Sequence, residues 1–155
     1  MRQDVLDTAI TLRRSLARLS RRSRMESRET GLSTTKHSIL GQLYRDGPKS
    51  PKDIALAEGV QPQSITRSLE GLEEAGLVLR TQDKLDRRQF HLEITAKGRE
   101  LVVRDAHNRS LWLASAMESN LTGLEMNLLR ISIQLLDKIA DAAAADQSDE
   151  TGRKV

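Results

Sequence analysis

The chain has 155 residues with 25 basic and 22 acidic side chains, a net charge of +3, which is the size of one domain or of a small domain with dimerisation arms. Cysteine is absent, which excludes a disulfide scaffold, a thiolate zinc site, a cysteine nucleophile and a thiol redox sensor. Aromatics are 2%, so a core must come from Leu, Ile, Val and Ala, which suits helix packing better than a β-sandwich. No run of about 18 apolar residues exists to cross a membrane. Asp4 and Asp7 stand where a signal-peptide core would lie, so the expected location is the cytoplasm. Of the 25 basic residues 18 are Arg, the side chain suited to bidentate phosphate and base contacts.

From Arg2 to Glu29 there is no Pro or Gly. Val5, Ala9, Leu12, Leu16 and Leu19 recur at spacings of four and three, which predicts a helix with one apolar stripe close to a heptad seam. Arg13, Arg14, Arg18, Arg21, Arg22, Arg24 and Arg28 fill much of the rest, and their plainer role is to solubilise the helix. Gly31 is the expected stop. Such a stripe needs a partner, and a second copy of the chain would supply one.

Ser33 or Thr34 caps the next predicted helix, with Ile39, Leu40, Leu43 and Tyr44 as its inner face. Asp46-Gly47-Pro48 breaks it. Ser50-Pro51 opens a short helix with Pro51 at its first position, Ile54, Ala55 and Leu56 as its apolar contacts, and Gly59 as its end. Gln61-Pro62 starts a fourth helix. At about 100° per residue, Ile65, Leu69 and Leu72 share one face, while Gln63, Arg67, Glu70 and Glu74 point the other way, flanked by Ser64 and Thr66. Gly76 closes it.

The period then changes. Leu77 to Thr81 reads as a short strand and Phe90-His91-Leu92-Glu93-Ile94 alternates around a charged segment, Gln82 to Gln89, which together predict a hairpin. Thr95 caps a long helix bearing Leu101, Val102, Leu111, Trp112, Leu113 and Met117. Thr122 starts a last helix whose Leu124, Leu128, Ile131 and Leu135 repeat at four, three and four. From Ala142 onward the chain is small and polar, and fraying is expected.

Two helices joined by a tight Gly-containing turn, the second polar on its outer face, match a helix-turn-helix. In that motif the second helix enters a DNA major groove with its N-terminal residues at base edges. Gln63 is suited to adenine and Arg67 to guanine, with Ser64 and Thr66 in reach of phosphates or bases. The plainer role of each is a solvated surface position. The hairpin that follows raises the DNA reading, because a charged tip can reach the adjacent minor groove. The span from Gly47 to Gly98 is neutral by count, so binding must rest on local placement of charge and be sensitive to salt.

The stretch from Leu32 to Gly98 resembles the winged helix-turn-helix of the MarR family of regulators. The resemblance rests on Ser64-Ile65-Thr66-Arg67 followed by Leu72-Glu73-Glu74-Ala75-Gly76-Leu77-Val78, and on Asp86-Arg87-Arg88 followed by Leu92, Ile94, Thr95 and Gly98. Ile94 stands where the family usually has Leu. Gln61-Pro62 stands where members often place a Ser, which leaves open which of Gln61, Pro62 and Gln63 touches DNA.

The resemblance implies a mainly α fold with a small β-hairpin wing and long dimerisation helices. Its parts would be a dimerisation helix over 1–30, a DNA-binding lobe over 32–98, two dimerisation helices over 99–141 and a flexible tail over 142–155. It implies a homodimer, through Val5, Leu12, Leu16 and Leu19 at one end and Leu124, Leu128, Ile131 and Leu135 at the other. It further implies sequence-specific binding to a pseudo-palindromic double-stranded operator, and repression released by a small, phenolic or anionic ligand. Gln61, Pro62, Gln63, Ser64, Thr66 and Arg67 would form the recognition helix. In the wing, Arg88 matches the family's minor-groove Arg and Asp86 the Asp that holds the wing. Lys84 and Arg87 are phosphate candidates. The plainer role of Asp86 and Arg88 is a surface ion pair worth about 0–1 kcal/mol.

No catalytic pattern competes. His37, His91 and His107 fall on different elements without metal-ligand spacing, and there is no phosphate-cradling Gly-rich loop. No cofactor, metal or membrane partner is expected. The resemblance places the ligand between the dimerisation helices and the DNA-binding lobe, where His37, Tyr44 and Trp112 are candidates whose plainer role is packing. Two other readings use the same fold: a winged-helix protein-interaction module that does not read DNA, and a non-specific architectural DNA binder.

Overall fold

The computed structural model describes residues 2–26, 31–82 and 90–152. The elements run α1 (Gln3–Glu26), α2 (Thr34–Asp46), α3 (Pro51–Ala57), α4 (Pro62–Glu74), β1 (Val78–Gln82), β2 (Phe90–Ile94), α5 (Ala96–Asn120) and α6 (Gly123–Gly152). The chain divides into two compact units, Met1–Trp112 and Leu113–Val155, so α5 begins in the first and ends in the second.

Capping chemistry sets the helix starts. Ser33 Oγ accepts from the Lys36 N–H at 3.3 Å. Ser50 Oγ accepts from the Asp53 N–H at 3.2 Å and donates to Asp53 Oδ2 at 2.7 Å, with Pro51 at the first helical position, where a missing N–H costs nothing. Lys49 Nζ pairs with Asp46 Oδ2 at 2.9 Å across the Gly47-Pro48 turn. Thr95 Oγ1 accepts from the Gly98 N–H at 3.1 Å and donates to the Gly76 carbonyl at 2.8 Å.

The exit from α4 explains where the first strand begins. Gly76 sits at φ +68°, its N–H bonds the Glu73 carbonyl at 2.8 Å, and the Leu77 N–H bonds the Leu72 carbonyl at 3.0 Å. This is a Schellman close, and the positive φ is why a glycine stands there. Leu77 is thereby spent on the helix end, and the strand starts at Val78 rather than at Leu77 as predicted.

β1 and β2 pair antiparallel, with Val78 opposite Ile94, Arg80 opposite Leu92 and Gln82 opposite Phe90. On the other side of β2, Lys49 and Leu92 exchange both backbone hydrogen bonds, at 3.1 and 2.8 Å. The turn before α3 thus serves as a one-residue third strand and ties the hairpin to the helices.

The core lies within α2 to β2. Ile39, Leu40, Leu43, Ile54, Ile65, Leu69, Leu72, Leu77, Val78, Leu92 and Ile94 are buried together, each worth about 1.5–3 kcal/mol of transfer. Two predicted core positions are corrected. Tyr44 is 42% exposed and Leu56 78% exposed. Each follows directly on a buried stripe, and at about 100° per residue it turns out of the interface. Gly98 is buried for another reason: a Cβ there would collide with the Leu77 carbonyl oxygen and lie 2.7 Å from Ile94 Cγ1.

In the second unit, Thr122 and Glu125 form a reciprocal cap: Glu125 Oε2 accepts from the Thr122 N–H at 2.8 Å and Thr122 Oγ1 accepts from the Glu125 N–H at 3.3 Å. α6 continues past Ala142 to Gly152, where fraying was expected, because an Ala-rich run without Gly or Pro is a good helix former. Leu124, Leu128, Ile131 and Leu135 on α6 stand exposed, as do Val5, Leu16 and Leu19 on α1, while Leu12 is half-buried. No helix among the described residues is long and apolar enough to cross a membrane.

Candidate functional site

α4 presents two different faces. Ile65, Leu69 and Leu72 face the core. Gln61, Pro62, Gln63, Ser64, Thr66 and Arg67 are all exposed, as the alternation of the helix demands. Gln61 is the N-cap residue, but its side chain makes no capping bond; Pro62 has no N–H and the Ser64 N–H bonds the Gln61 carbonyl at 2.9 Å, which leaves the Gln63 N–H facing an incoming acceptor. Thr66 Oγ1 donates back to the Pro62 carbonyl at 3.4 Å. Arg67 makes no ion pair among the described residues. The helix therefore carries an exposed polar face, with a partial positive charge at its leading end.

The short helix in front of α4 is held by a polar knot. Glu58 Oε1, just past α3, accepts from Ser38 Oγ at 2.6 Å and also from Gln42 Nε2. Behind α4 stands a second link. Arg80 shares the core-facing side of the hairpin with Leu92 and Phe90 by register. At the edge of that side its guanidinium carbon stacks 4.3 Å from the Phe90 ring centroid and its Nε donates to Glu73 Oε1 at 2.6 Å. The base of the hairpin is thus tied to the last turn of α4. Lys84, Asp86, Arg87 and Arg88, the wing candidates, lie outside the described residues. Sequence reading passed over Arg80, since its partner is seven residues away across a helix-to-strand turn.

A second feature lies in the first unit. A cavity of about 170 Å³ is walled by Arg21, Arg24 and Met25 of α1, by Leu32, by Thr34 and His37 of α2, and by Asp105 and Arg109 of α5. Of the three residues expected to line a ligand site, His37 lines this cavity; Tyr44 and Trp112 do not. Asp105 is 2% exposed. Its Oδ2 pairs with Arg109 Nη2 at 2.7 Å and its Oδ1 lies 3.9 Å from His37 Nε2, with no hydrogen-bond partner. Sequence reading passed over Asp105; the signal that could have found it is its place on the inner stripe of α5, where Gly98, Leu101, Val102 and Asp105 are all turned inward. No group of three or more His, Asp or Glu suited to a metal occurs among the described residues.

Comparison with known proteins agrees with this architecture. The sequence pattern of the MarR family matches residues 32–90. An HTH-type transcriptional regulator of Mycobacterium bovis, Mb0904, is 31% identical over 127 residues, covering 82% of this chain and 88% of the relative. The crystal structure of a transcriptional regulator from Pseudomonas aeruginosa superposes with a TM-score of 0.77 at 27% identity, covering 90% of this chain and 98% of the other. That of NadR in complex with 4-hydroxyphenylacetate superposes with a TM-score of 0.59 at 26% identity, covering 84% and 92%. With a helix-turn-helix whose second helix turns a polar face outward, a hairpin braced against it and relatives that are transcriptional regulators rather than enzymes, the chain belongs to the MarR family of DNA-binding transcriptional regulators.

Proposed function

We propose that two copies of the chain pair through the apolar stripes of α1 and α6, bind a pseudo-palindromic operator and repress transcription in the cytoplasm until a small anionic ligand releases them. In this reading α4 enters the major groove, with Gln63, Ser64, Thr66 and Arg67 at base edges and phosphates and the Gln63 amide at a phosphate. The wing, with Lys84, Asp86, Arg87 and Arg88, follows the adjacent backbone and minor groove. The observation that carries the reading is the exposed outer face of α4, where Arg67 makes no ion pair among the described residues. The ligand site is the cavity of the first unit, where three guanidiniums face one carboxylate. A relative crystallised with 4-hydroxyphenylacetate supports a small acid as the class of effector.

The test is selection from randomised duplex DNA at near-physiological salt. Enrichment of a two-fold site with half-sites about 10 bp apart is the expected outcome. Equal binding to every sequence, lost as salt rises, would replace the reading with a non-specific binder. No binding at any salt would leave a protein-interaction module.

A further inference from the structure

The leading end of α4 carries the residues that the DNA reading places at base edges, yet α4 does little to hold that end in place. Gln61, Pro62, Gln63 and Ser64 are all exposed, Gln61 gives no side-chain cap, and the first residue of the helix to enter the core is Ile65. The hold comes from the turn in front. Gly59, at φ +67°, bonds the Leu56 carbonyl through its N–H at 3.1 Å, and the Val60 N–H bonds the Ala55 carbonyl at 3.0 Å. Glu58, three residues ahead of Gln61, anchors this turn by its side chain: Oε1 accepts from Ser38 Oγ at 2.6 Å and from Gln42 Nε2. Ser38 and Gln42 stand one turn apart on the same face of α2, so both donors reach one oxygen.

This knot is poor chemistry for stability. Gln42 is 7% exposed, between the buried Ile39, Leu40 and Leu43, and its Oε1 is buried with no hydrogen-bond partner among the described residues. A half-satisfied buried polar group is less favourable than an apolar side chain of similar shape. What the knot does supply is a fixed distance from α2 to the turn that launches α4. We infer that Glu58 is a positioning residue for DNA recognition: gripped by Ser38 and Gln42, it sets where the leading end of α4 meets the groove, and the fold is less stable for it. The inference rests on the reading of α4 at base edges and adds to it the residue that aims the helix.

The experiment is fluorescence anisotropy of the full-length protein on the duplex recovered by selection and on a scrambled duplex of the same length, with urea unfolding of each variant alongside. Glu58→Ala should weaken operator binding about tenfold, the scale of one displaced base contact, and leave the scrambled duplex unchanged. Glu58→Gln keeps a side-chain oxygen for both donors and should stay within about twofold of wild type. Gln42→Leu is the sharper variant and does not depend on how well Glu58→Ala folds. Its urea midpoint should hold or rise as the orphan oxygen is removed, while the ratio of operator to scrambled affinity falls. A merely structural knot would lower the midpoint and leave the ratio unmoved, which overturns the inference. Arg67→Ala separates the two readings. If it lowers the ratio while Glu58→Ala and Gln42→Leu leave it unchanged, α4 reads bases and the aiming by Glu58 is overturned. If wild type prefers no duplex, both fall together.

Discussion

Arg80 donates from Nε to Glu73 Oε1 at 2.6 Å, joining the first strand of the hairpin to the last turn of α4. Both side chains are partly exposed, so the ion pair by itself is worth about 0–1 kcal/mol, and the stacking on Phe90 adds about 0.5–1 kcal/mol. Arg80→Ala should therefore lower stability by about 1–2 kcal/mol. A double-mutant cycle with Glu73→Ala, read by urea denaturation, should return a coupling of about 0.5–1 kcal/mol. A coupling of zero would show that the two groups are neighbours without consequence.

The DNA reading makes a separable prediction for α4 and the wing. Arg67→Ala and Arg88→Ala should each weaken operator binding by about 1–3 kcal/mol, and Arg67→Ala should also relax the base preference at one position of each half-site. Lys84→Ala should weaken all sequences alike and reduce the salt slope by about one. These outcomes are read by fluorescence anisotropy across a salt series on operator and scrambled duplexes. A uniform loss for Arg67→Ala would demote it from base reader to phosphate anchor.

Assembly can be tested without DNA. Leu128 is 56% exposed and Ile131 57% exposed on α6, and a homodimer would cover both. Leu128→Glu combined with Ile131→Glu should convert a dimer to a monomer in sedimentation, since a buried unpaired charge is far costlier than the apolar contact it replaces. Helical content should be retained, because neither residue contributes to the buried core. An unchanged sedimentation coefficient would place the dimer interface elsewhere.

Acid sensitivity has a local source at the start of α3. The hydrogen bond from Ser50 Oγ, opposed by desolvation and helped by the Ser50 backbone bond and the charges of Lys49 and Lys52, holds the Asp53 carboxyl below its ordinary value of 3.8. A carboxyl lowered in the folded state adds stability above its unfolded pKa, and that stability is lost as pH falls through the folded value. Ser50→Ala should cost about 0.5–2 kcal/mol at pH 7 through the lost cap. Its deficit relative to wild type should narrow on acidification from pH 4 toward pH 3. Urea midpoints at several pH values would show this, and a deficit that widens in acid would contradict the assigned direction.

Much of this architecture was legible because its determinants are local. Ser33, Ser50-Pro51, Gly76 and Thr95 mark element ends through their own hydrogen bonds or φ preference, and the spacing of Ile65, Leu69 and Leu72 identified the inner face of α4 and so, by elimination, its outer one. Tyr44 and Leu56 misled because an apolar run shows no direction until its packing partner is placed. The strand boundary at Val78 depended on the Leu77 N–H closing the helix before it. Asp105 was hidden for a related reason: a charged residue reads as solvent-facing, and only the assembled first unit shows that it occupies an inward position of α5. Arg21 and Arg24 looked like surface solubility until they met it across a cavity.

The paired backbone hydrogen bonds between Lys49 and Leu92 have a consequence for motion. They stitch the turn between α2 and α3 to the strand that carries the far side of the hairpin, so the base of the wing cannot open without releasing the connection within the helix-turn-helix. Local opening is therefore expected to be cooperative across that seam. The amide hydrogens of Lys49 and Leu92 should exchange with solvent at one common slow rate, and together with that of Leu77, whereas those at the exposed start of α4 should exchange first.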